Sequence, residues 1–320
     1  MSLAPELPVR SAMPVLNTMP MLNAMPVLNA MTVDVEDYFQ VQAFAHRVDR
    51  ADWDNFPRRV EANVDRILEQ FERARVHATF FTLGWIARRH PAMVRRIVAS
   101  GHELASHGWD HTRADSQDPE AFRQDVQRTR ALLEDIGGVA VTGYRAATFS
   151  IGAGNLWAFG VLRDAGYRYS SSVNPIAHDL YGMPNGPREP FQPDGDGFWE
   201  IPMTTVRALG RNWPCSGGGY FRLLPSTLYR AGLAWVNGGE GRPGIFYFHP
   251  WEIDPEQPRI AGVGWKSRLR HYTNLSHMAA RLDQVLAAFA WDRMDRVFAD
   301  LLPATQPKLM TGHDAAPVAA

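Results

Sequence analysis

At 320 residues the chain is long enough to bury the core of one large α/β domain or of two smaller ones. A net charge of −1 and a charged fraction of 21% argue against a general nucleic-acid binder or a membrane-surface protein. The single cysteine excludes an intrachain disulfide, no apolar run is long enough to span a membrane, and the amino terminus lacks a secretion signal, so we expect a cytoplasmic protein.

The first 29 residues are predicted to lie outside the folded structure. A Met-Pro-x-Leu-Asn unit occurs three times between residues 13 and 29, at a period of six residues. The three prolines exclude a regular helix, and three short copies cannot form a solenoid. We therefore expect a poorly ordered leader over residues 1–29, and likewise a flexible tail over residues 303–320.

Between these ends, strand-like and helix-like segments alternate, which is typical of βαβ units and a mainly parallel sheet. Apolar residues recur at steps of three or four in the helical segments, as at Val60, Val64 and Ile67. Residues 174–219 are rich in Gly and Pro and are expected to form loops or hairpins around a rim. Strands are predicted over residues 30–35, 77–83, 102–106, 141–144, 167–172 and 244–248, and helices over 59–73, 91–99, 119–136, 155–165 and 275–289.

Residues that could carry chemistry follow the predicted strands, at the edge of the sheet where parallel α/β barrels place their sites. An acidic run, Val33-Asp34-Val35-Glu36-Asp37, ends the first strand, and His107 and His111 follow the third. Two imidazoles four residues apart can bind one divalent ion if the segment coils after His107. Because such an ion takes about four ligands, the acidic run is the expected source of a carboxylate ligand.

Four segments in this order resemble the polysaccharide deacetylase family, also called the NodB-homology or carbohydrate esterase family 4 enzymes. The similar segments are residues 33–37, 106–111, 143–150 and 246–252, and the resemblance covers about residues 31–302. The phrases VDVEDYFQV and FYFHPWEID are similar to deacetylases found with exosortase-linked exopolysaccharide clusters. The resemblance implies a distorted (β/α) barrel of the NodB-homology type, with a catalytic domain over residues 30–265 and a helical extension over residues 266–302 packed on the barrel.

The resemblance also implies roles for individual residues around one divalent ion, which is usually zinc, although cobalt or nickel would fit the same ligands. Asp34 would be the general base, His249 the general acid, and Arg145 would hold Asp34 ionised and oriented. A backbone N–H near Phe149 would face the developing oxyanion. Ala147 stands where the family usually has proline.

Two choices stay open at this level. Alternation along the strand puts Asp34 and Glu36 on one face, so Glu36 is the first choice of carboxylate ligand, with Asp37 as the second. The carboxylate that orients His249 could be Glu252 or Asp179.

Aromatic residues near these segments could contact a sugar, and Phe149, Trp251 and Tyr220 are the candidates. The expected activity is removal of N-acetyl groups from amino sugars of a polysaccharide, exopolysaccharide in particular, or of its precursor. An N-acetylated oligo- or polysaccharide is then the partner, and the exopolysaccharide biosynthesis machinery could be another. The alternatives are an inactive carbohydrate-binding module on the same scaffold and a hydrolase of a small non-sugar amide.

Overall fold

The computed structural model of the chain describes residues 26–195 and 197–302. The predicted leader therefore lies almost wholly outside the described residues, and the predicted tail over residues 303–320 lies wholly outside them. No helix in the described ranges is long and apolar enough to cross a membrane.

A parallel sheet forms the centre of the molecule. The strands are β1 (Leu28–Val35), β2 (Thr79–Thr82), β3 (Glu103–Ser106), β4 (Gly143–Tyr144), β5 (Tyr169–Ser170), β6 (Trp199–Glu200), β7 (Thr205–Ala208), β8 (Arg211–Pro214), β9 (Ile245–Phe248) and β10 (Ala290–Asp292). The spatial order in the sheet is β10-β1-β2-β3-β4-β5-β6, and β9 also pairs with β1. The six predicted strands are present, and most of them are shorter than expected. An antiparallel hairpin, β7–β8, lies apart in the Gly/Pro-rich region where loops or hairpins were predicted.

Helices surround this sheet, and the five predicted from periodicity are present. The longest begins where the sequence signals it, because the Asp118 carboxylate accepts the N–H groups of Glu120 and Ala121, and it ends at Gly138 in a left-handed conformation. The helices are α1 (Val60–Ala74), α2 (Gly84–Arg89), α3 (Pro91–Ala99), α4 (Pro119–Gly137), α5 (Trp157–Asp164), α6 (Gly218–Leu223), α7 (Ser226–Gly238), α8 (Trp265–Tyr272), α9 (Leu275–Ala288) and α10 (Met294–Val297).

The sheet curves into a barrel whose last gap is bridged by irregular backbone rather than by a regular strand. The N–H of Met203 bonds the carbonyl of Val173, and the N–H of Cys215 bonds the carbonyl of Thr204. The N–H of Tyr247 in β9 then bonds the carbonyl of Ser216. These bonds connect the β5–β6 side to β9, so the barrel is distorted, as a NodB-type barrel is expected to be.

The carboxyl-terminal segment is more than a set of helices packed on the outside. After α9, strand β10 adds to the sheet beside the beginning of β1, with Leu28 opposite Ala290 and Ala30 opposite Asp292. The expectation of a purely helical extension was incomplete, because a three-residue strand is too short to show a periodic pattern.

Candidate metal and catalytic site

Three potential metal ligands meet at the carboxyl ends of β1 and β3. One ligand atom each from Glu36, His107 and His111 lies within 4.8 Å of the others, and all three side chains are buried. Glu36 follows the last residue of β1, and His107 follows the last residue of β3. Parallel pairing through β2 brings these strand ends to the same edge of the sheet. One carboxylate and two imidazoles suit a divalent transition metal, and we call these three residues the donor group.

The two histidines converge through a tight turn and not through a helical turn. Gly108 has φ of 76° and His111 has φ of 58°, so both residues lie in the left-handed region. That conformation is unfavourable for histidine, and strain of this kind concentrates at functional sites. The guanidinium of Arg50 supports the turn by donating to the carbonyls of Asp110 and His111. The ring centroids of His107 and His111 are 5.4 Å apart.

Both histidines have the protonation state that metal binding requires. The Nδ1–H of His107 donates to the backbone carbonyl of Arg145 at 2.8 Å, which leaves Nε2 as the free ligand atom. Burial lowers the pKa of His107 to about 4 and lowers that of His111 well below its ordinary value. Both rings are therefore neutral near pH 7, with a lone pair available.

The Glu36 carboxylate has one oxygen that the protein does not satisfy. Its Oε1 accepts the indole N–H of Trp251 at 3.2 Å. Its Oε2 lies 3.0 Å from Nε2 of His111 but receives no hydrogen bond, and it is fully buried. Burial raises the pKa of Glu36 to about 7. A buried, unpaired acceptor beside two neutral imidazoles fits a divalent cation, which would satisfy all three.

Asp37, the second choice of ligand, has a different role. Its Oδ1 accepts the N–H of Tyr38, and its Oδ2 accepts the N–H groups of Arg59 and Val60 at the start of α1. Both oxygens are engaged by the backbone because the chain turns after Val35, which sends consecutive acids in different directions. The structure thus brings Glu36 into the donor group and leaves Asp37 outside it.

We expect the substitution Asp37→Asn to lower the free energy of unfolding by about 1–3 kcal/mol, since an amide group cannot accept all three buried N–H bonds. The metal content of the purified protein should not change. Denaturant titration and elemental analysis would measure the two quantities. Loss of metal at normal stability would instead make Asp37 a ligand.

A buried arginine holds the carboxylate of Asp34. Nη1 of Arg145 donates to Asp34 Oδ1 and to Thr32 Oγ1, each at 2.7 Å. Nε and Nη2 of the same guanidinium bond the carbonyl and the hydroxyl of Ser171. Arg145 is fully buried, and it is held both by Thr32 in β1 and by Ser171, which follows β5. It therefore fixes the position of the Asp34 carboxylate.

A buried ion pair between Glu252 and Arg222 orients His249. Its Nδ1 lies 2.7 Å from Oε1 of Glu252, and Oε2 of Glu252 accepts the Nε–H of Arg222 at 2.6 Å. The other nitrogens of Arg222 donate to the carbonyls of Arg270, His271 and Thr273 at the end of α8. The structure therefore selects Glu252 as the partner of His249. Asp179, the alternative, pairs with Arg270 at the surface.

This arrangement keeps His249 protonated. Burial alone would lower the pKa of His249, but Glu36 and Glu252 outweigh burial and raise the pKa to about 9. Burial alone would raise the pKa of Glu252, but Arg222 and His249 outweigh it and hold the pKa at about 2. The Nε2 of His249 lies 3.4 Å from Glu36 Oε1, so the protonated imidazole is adjacent to the three metal ligands and can act as a general acid.

The substitution Glu252→Gln is expected to reduce kcat of any reaction in which His249 donates a proton by at least about tenfold, since His249 loses the anion that orients it. It should also lower the free energy of unfolding by about 3–5 kcal/mol, because Arg222 is left buried without its partner. Steady-state rates and thermal melts would measure both. Asp179→Asn is the matched control, and equal losses in the control would contradict the assignment of Glu252.

The three predicted substrate contacts lie in three different environments. Phe149 lines the cleft, but its own N–H donates to the carbonyl of Ala146 and is not available to an oxyanion. Trp251 also borders the cleft, yet it is 6% exposed, and its ring stacks on His249 and His271. It therefore positions Glu36 rather than offering a free face to a sugar. Tyr220 lines a neighbouring groove instead of the cleft.

Sequence reasoning missed Arg222, Thr32 and Ser171. Thr32 lies two residues before Asp34 on the same face of β1, so strand alternation could have identified it. Arg222 and Ser171 had no comparable signal, since each reaches the site only through long-range packing.

Comparisons with known proteins match two consecutive segments of the chain. The polysaccharide deacetylase family profile matches residues 52–170, and a profile described as a domain of unknown function, DUF3473, matches residues 171–299. Asp34 and Glu36 precede both matches, His107, His111 and Arg145 lie in the first, and His249 and Glu252 lie in the second.

Individual relatives match over short segments. A chitooligosaccharide deacetylase of Rhizobium leguminosarum bv. trifolii is 37% identical over 68 residues, which are 21% of this chain and 32% of that protein. The peptidoglycan-N-acetylglucosamine deacetylase PgdA of Listeria monocytogenes is 33% identical over 72 residues, which are 22% of this chain and 16% of that protein. The matched segments thus cover less than a third of each of these relatives.

The whole fold is shared with a solved structure. A candidate polysaccharide deacetylase from Mycobacterium smegmatis aligns over 94% of this chain and 100% of its own, with a TM-score of 0.58 and 19% identity. At this identity the similarity establishes the fold alone. The two profile matches show that the chain contains a polysaccharide deacetylase (NodB-homology, carbohydrate esterase family 4) domain over residues 52–170, followed by a DUF3473 segment over residues 171–299.

Proposed function

We propose that this protein is a metal-dependent hydrolase that removes N-acetyl groups from amino sugars of a polysaccharide, with an exopolysaccharide or its precursor as the substrate. One observation carries the proposal: the cleft that contains the donor group of Glu36, His107 and His111 also contains a carboxylate fixed by Arg145 and an imidazole fixed by Glu252. Hydrolysis of an amide needs a base for the attacking water and an acid for the departing nitrogen, and the cleft contains one of each.

The residues divide the chemistry as follows. A divalent ion held by Glu36, His107 and His111 would lower the pKa of water and polarise the acetamide carbonyl. Asp34 accepts the proton of the attacking water, with Arg145 holding the carboxylate in place. His249 carries a proton on the cleft side and delivers it to the sugar nitrogen, while Glu252 stabilises the imidazolium. The sugar nitrogen then leaves as a neutral amine instead of as an amide anion, which is a poor leaving group.

Zinc is the metal we propose, because mixed imidazole and carboxylate ligands suit it, with cobalt or nickel as replacements. The cytoplasmic location and a link to the exopolysaccharide biosynthesis machinery stay predictions. Cell fractionation and co-purification with polymer-synthesis proteins would test them.

Acetate release is the direct test of the activity. The purified protein, loaded with zinc, would be incubated with defined N-acetylated oligosaccharides that differ in sugar and length, and free acetate and free amine would be measured. We expect equal amounts of both products and loss of both in His249→Ala. Sugar binding without acetate release under zinc, cobalt and nickel would favour an inactive carbohydrate-binding module. Activity only on small non-sugar amides would favour the other alternative.

A further inference from the structure

A second concave region lies beside the catalytic cleft, and helix α6 separates the two. It has a volume of ≈1020 Å³, against ≈170 Å³ for the catalytic cleft. The larger volume is in the range of sites that bind whole small molecules. Its walls come from the β7–β8 hairpin, the start of α7 and the loop around residue 176. We call it the apolar groove, and its main apolar side chains are Ile176, Leu209, Trp213, Tyr220, Leu224 and Leu228.

The apolar groove is open to solvent. Leu209 is 94% exposed, Leu228 is 58% exposed and Trp213 is 51% exposed, and all three line the same concavity. Single exposed apolar residues are common, but a contiguous set of large ones that lines a cavity marks a binding surface.

Leu209 is in a position that the fold itself does not favour. The hairpin register pairs Ala208 with Arg211, so Leu209 and Gly210 form a two-residue turn, with φ of 52° and 72°. Such turns favour Asn, Asp or Gly at the first position, because leucine is strained in the left-handed region. An exposed leucine at this tip stabilises neither the turn nor the core. Contact with a bound apolar molecule would explain it.

The charges of the apolar groove are of one sign. Arg207 and Arg211 flank the hairpin tip, and among the described residues that line the groove they are its charged members, with no carboxylate beside them. The lining thus suits a molecule that is apolar along its length and carries a negative group.

The apolar groove and the catalytic cleft share helix α6 as a common wall. Gly219 and Arg222 of this helix line the catalytic cleft, and Tyr220 and Phe221 line the groove. One ligand could therefore occupy both, with its sugar beside the donor group and its remaining part across α6.

We infer that the apolar groove binds the hydrocarbon chain of a lipid-linked substrate, in which a phosphate near Arg211, on the same hairpin face as Trp213, joins the chain to the N-acetylated sugar in the cleft. The inference rests on the proposed function for the identity of the sugar end. It extends that function by naming the substrate class: a membrane-lipid-linked saccharide rather than a finished polymer.

Binding of dodecyl phosphate, below its micelle concentration, tests the apolar groove without any catalysis. Calorimetry with the full chain should show saturable binding at one site, and inorganic phosphate should bind far more weakly. The double variant Leu209→Asn/Leu228→Gln should weaken binding about tenfold or more, because two apolar contacts are lost. Leu156→Gln, an exposed leucine outside the groove, is the matched control and should stay within about twofold of the unchanged protein.

The variant at the hairpin tip separates ligand binding from folding. Asparagine suits the left-handed turn, so Leu209→Asn should melt at the same temperature as the unchanged protein or higher. Weaker dodecyl phosphate binding in a protein of undiminished stability supports the inference. Absence of saturable binding, or equal binding by the double variant, overturns it. A dimer that the double variant converts to monomers also overturns it, since the groove would then be a subunit interface.

Kinetics then test whether this ligand is the substrate. The same N-acetylated sugar would be supplied free and joined through phosphate to a long alkyl chain. We expect KM for the lipid-linked form to be at least about tenfold lower, and the double variant should remove this difference without changing turnover of the free sugar. Equal KM values for both forms would overturn the substrate class. Dodecyl phosphate binding without acetate release from any sugar would refute the proposed function and leave the groove as a lipid-phosphate site.

Discussion

The substitution Asp34→Asn is expected to reduce kcat for acetate release by about 10²–10⁴-fold, which is the usual contribution of a positioned general base. The amide cannot accept a proton from water, but it keeps the size of the carboxylate and can still accept a bond from Arg145. The donor group does not include Asp34, so the metal content should stay the same. Initial rates and elemental analysis of the same sample would measure both.

Folding has to be controlled in this experiment, because Arg145 is fully buried and loses its ionic partner. Rates should therefore be compared at a temperature well below the melting transition of the variant. Asp65→Asn, at a surface ion pair with Arg96, serves as a control for the loss of a carboxylate and should retain its activity. If Asp34→Asn loses the metal, the base and the ligand have been exchanged in our assignment.

Removal of either histidine of the donor group should abolish metal binding and activity together. We expect His107→Ala and His111→Ala each to lower metal affinity by more than the ~10–100-fold that is typical when only a partner of a ligand is lost. The reason is that a site with three protein ligands would retain only two. Competition with a chromogenic chelator would measure the affinity.

The exposed residue His277 provides the control, since His277→Ala removes an imidazole that is not part of the donor group. Its metal content and rate should equal those of the unchanged protein. Metal bound at full occupancy in both His107→Ala and His111→Ala would refute the site.

Much of the fold was predictable, because burial on one face leaves a periodic pattern in the sequence. Helix α3 begins and ends at the predicted residues, and α9 differs from its prediction by one residue. Helices α2, α6 and α7 and strands β6 and β10 were missed. Each is short or lies in a Gly-rich stretch, where neighbouring elements rather than local pattern decide the conformation.

For the site, the sequence by itself determined which residue types follow which strands, and parallel pairing then requires the ends of β1, β3 and β9 to share one edge. The sequence therefore predicts that Glu36, His107 and His249 lie close together at this edge of the sheet.

Only the tertiary structure decided between equivalent acids. The turn after β1 directs Glu36 to the histidines and Asp37 to the backbone of α1, and the 3₁₀ turn after His249 brings Glu252, not Asp179, to its ring. Adjacent carboxylates have the same chemistry, so sequence alone cannot separate them. Their roles depend on which partners the fold places within hydrogen-bond distance. Trp251, the partner of Glu36, lies 215 residues away along the chain, and the buried Arg222 that holds Glu252 lies 30 residues away.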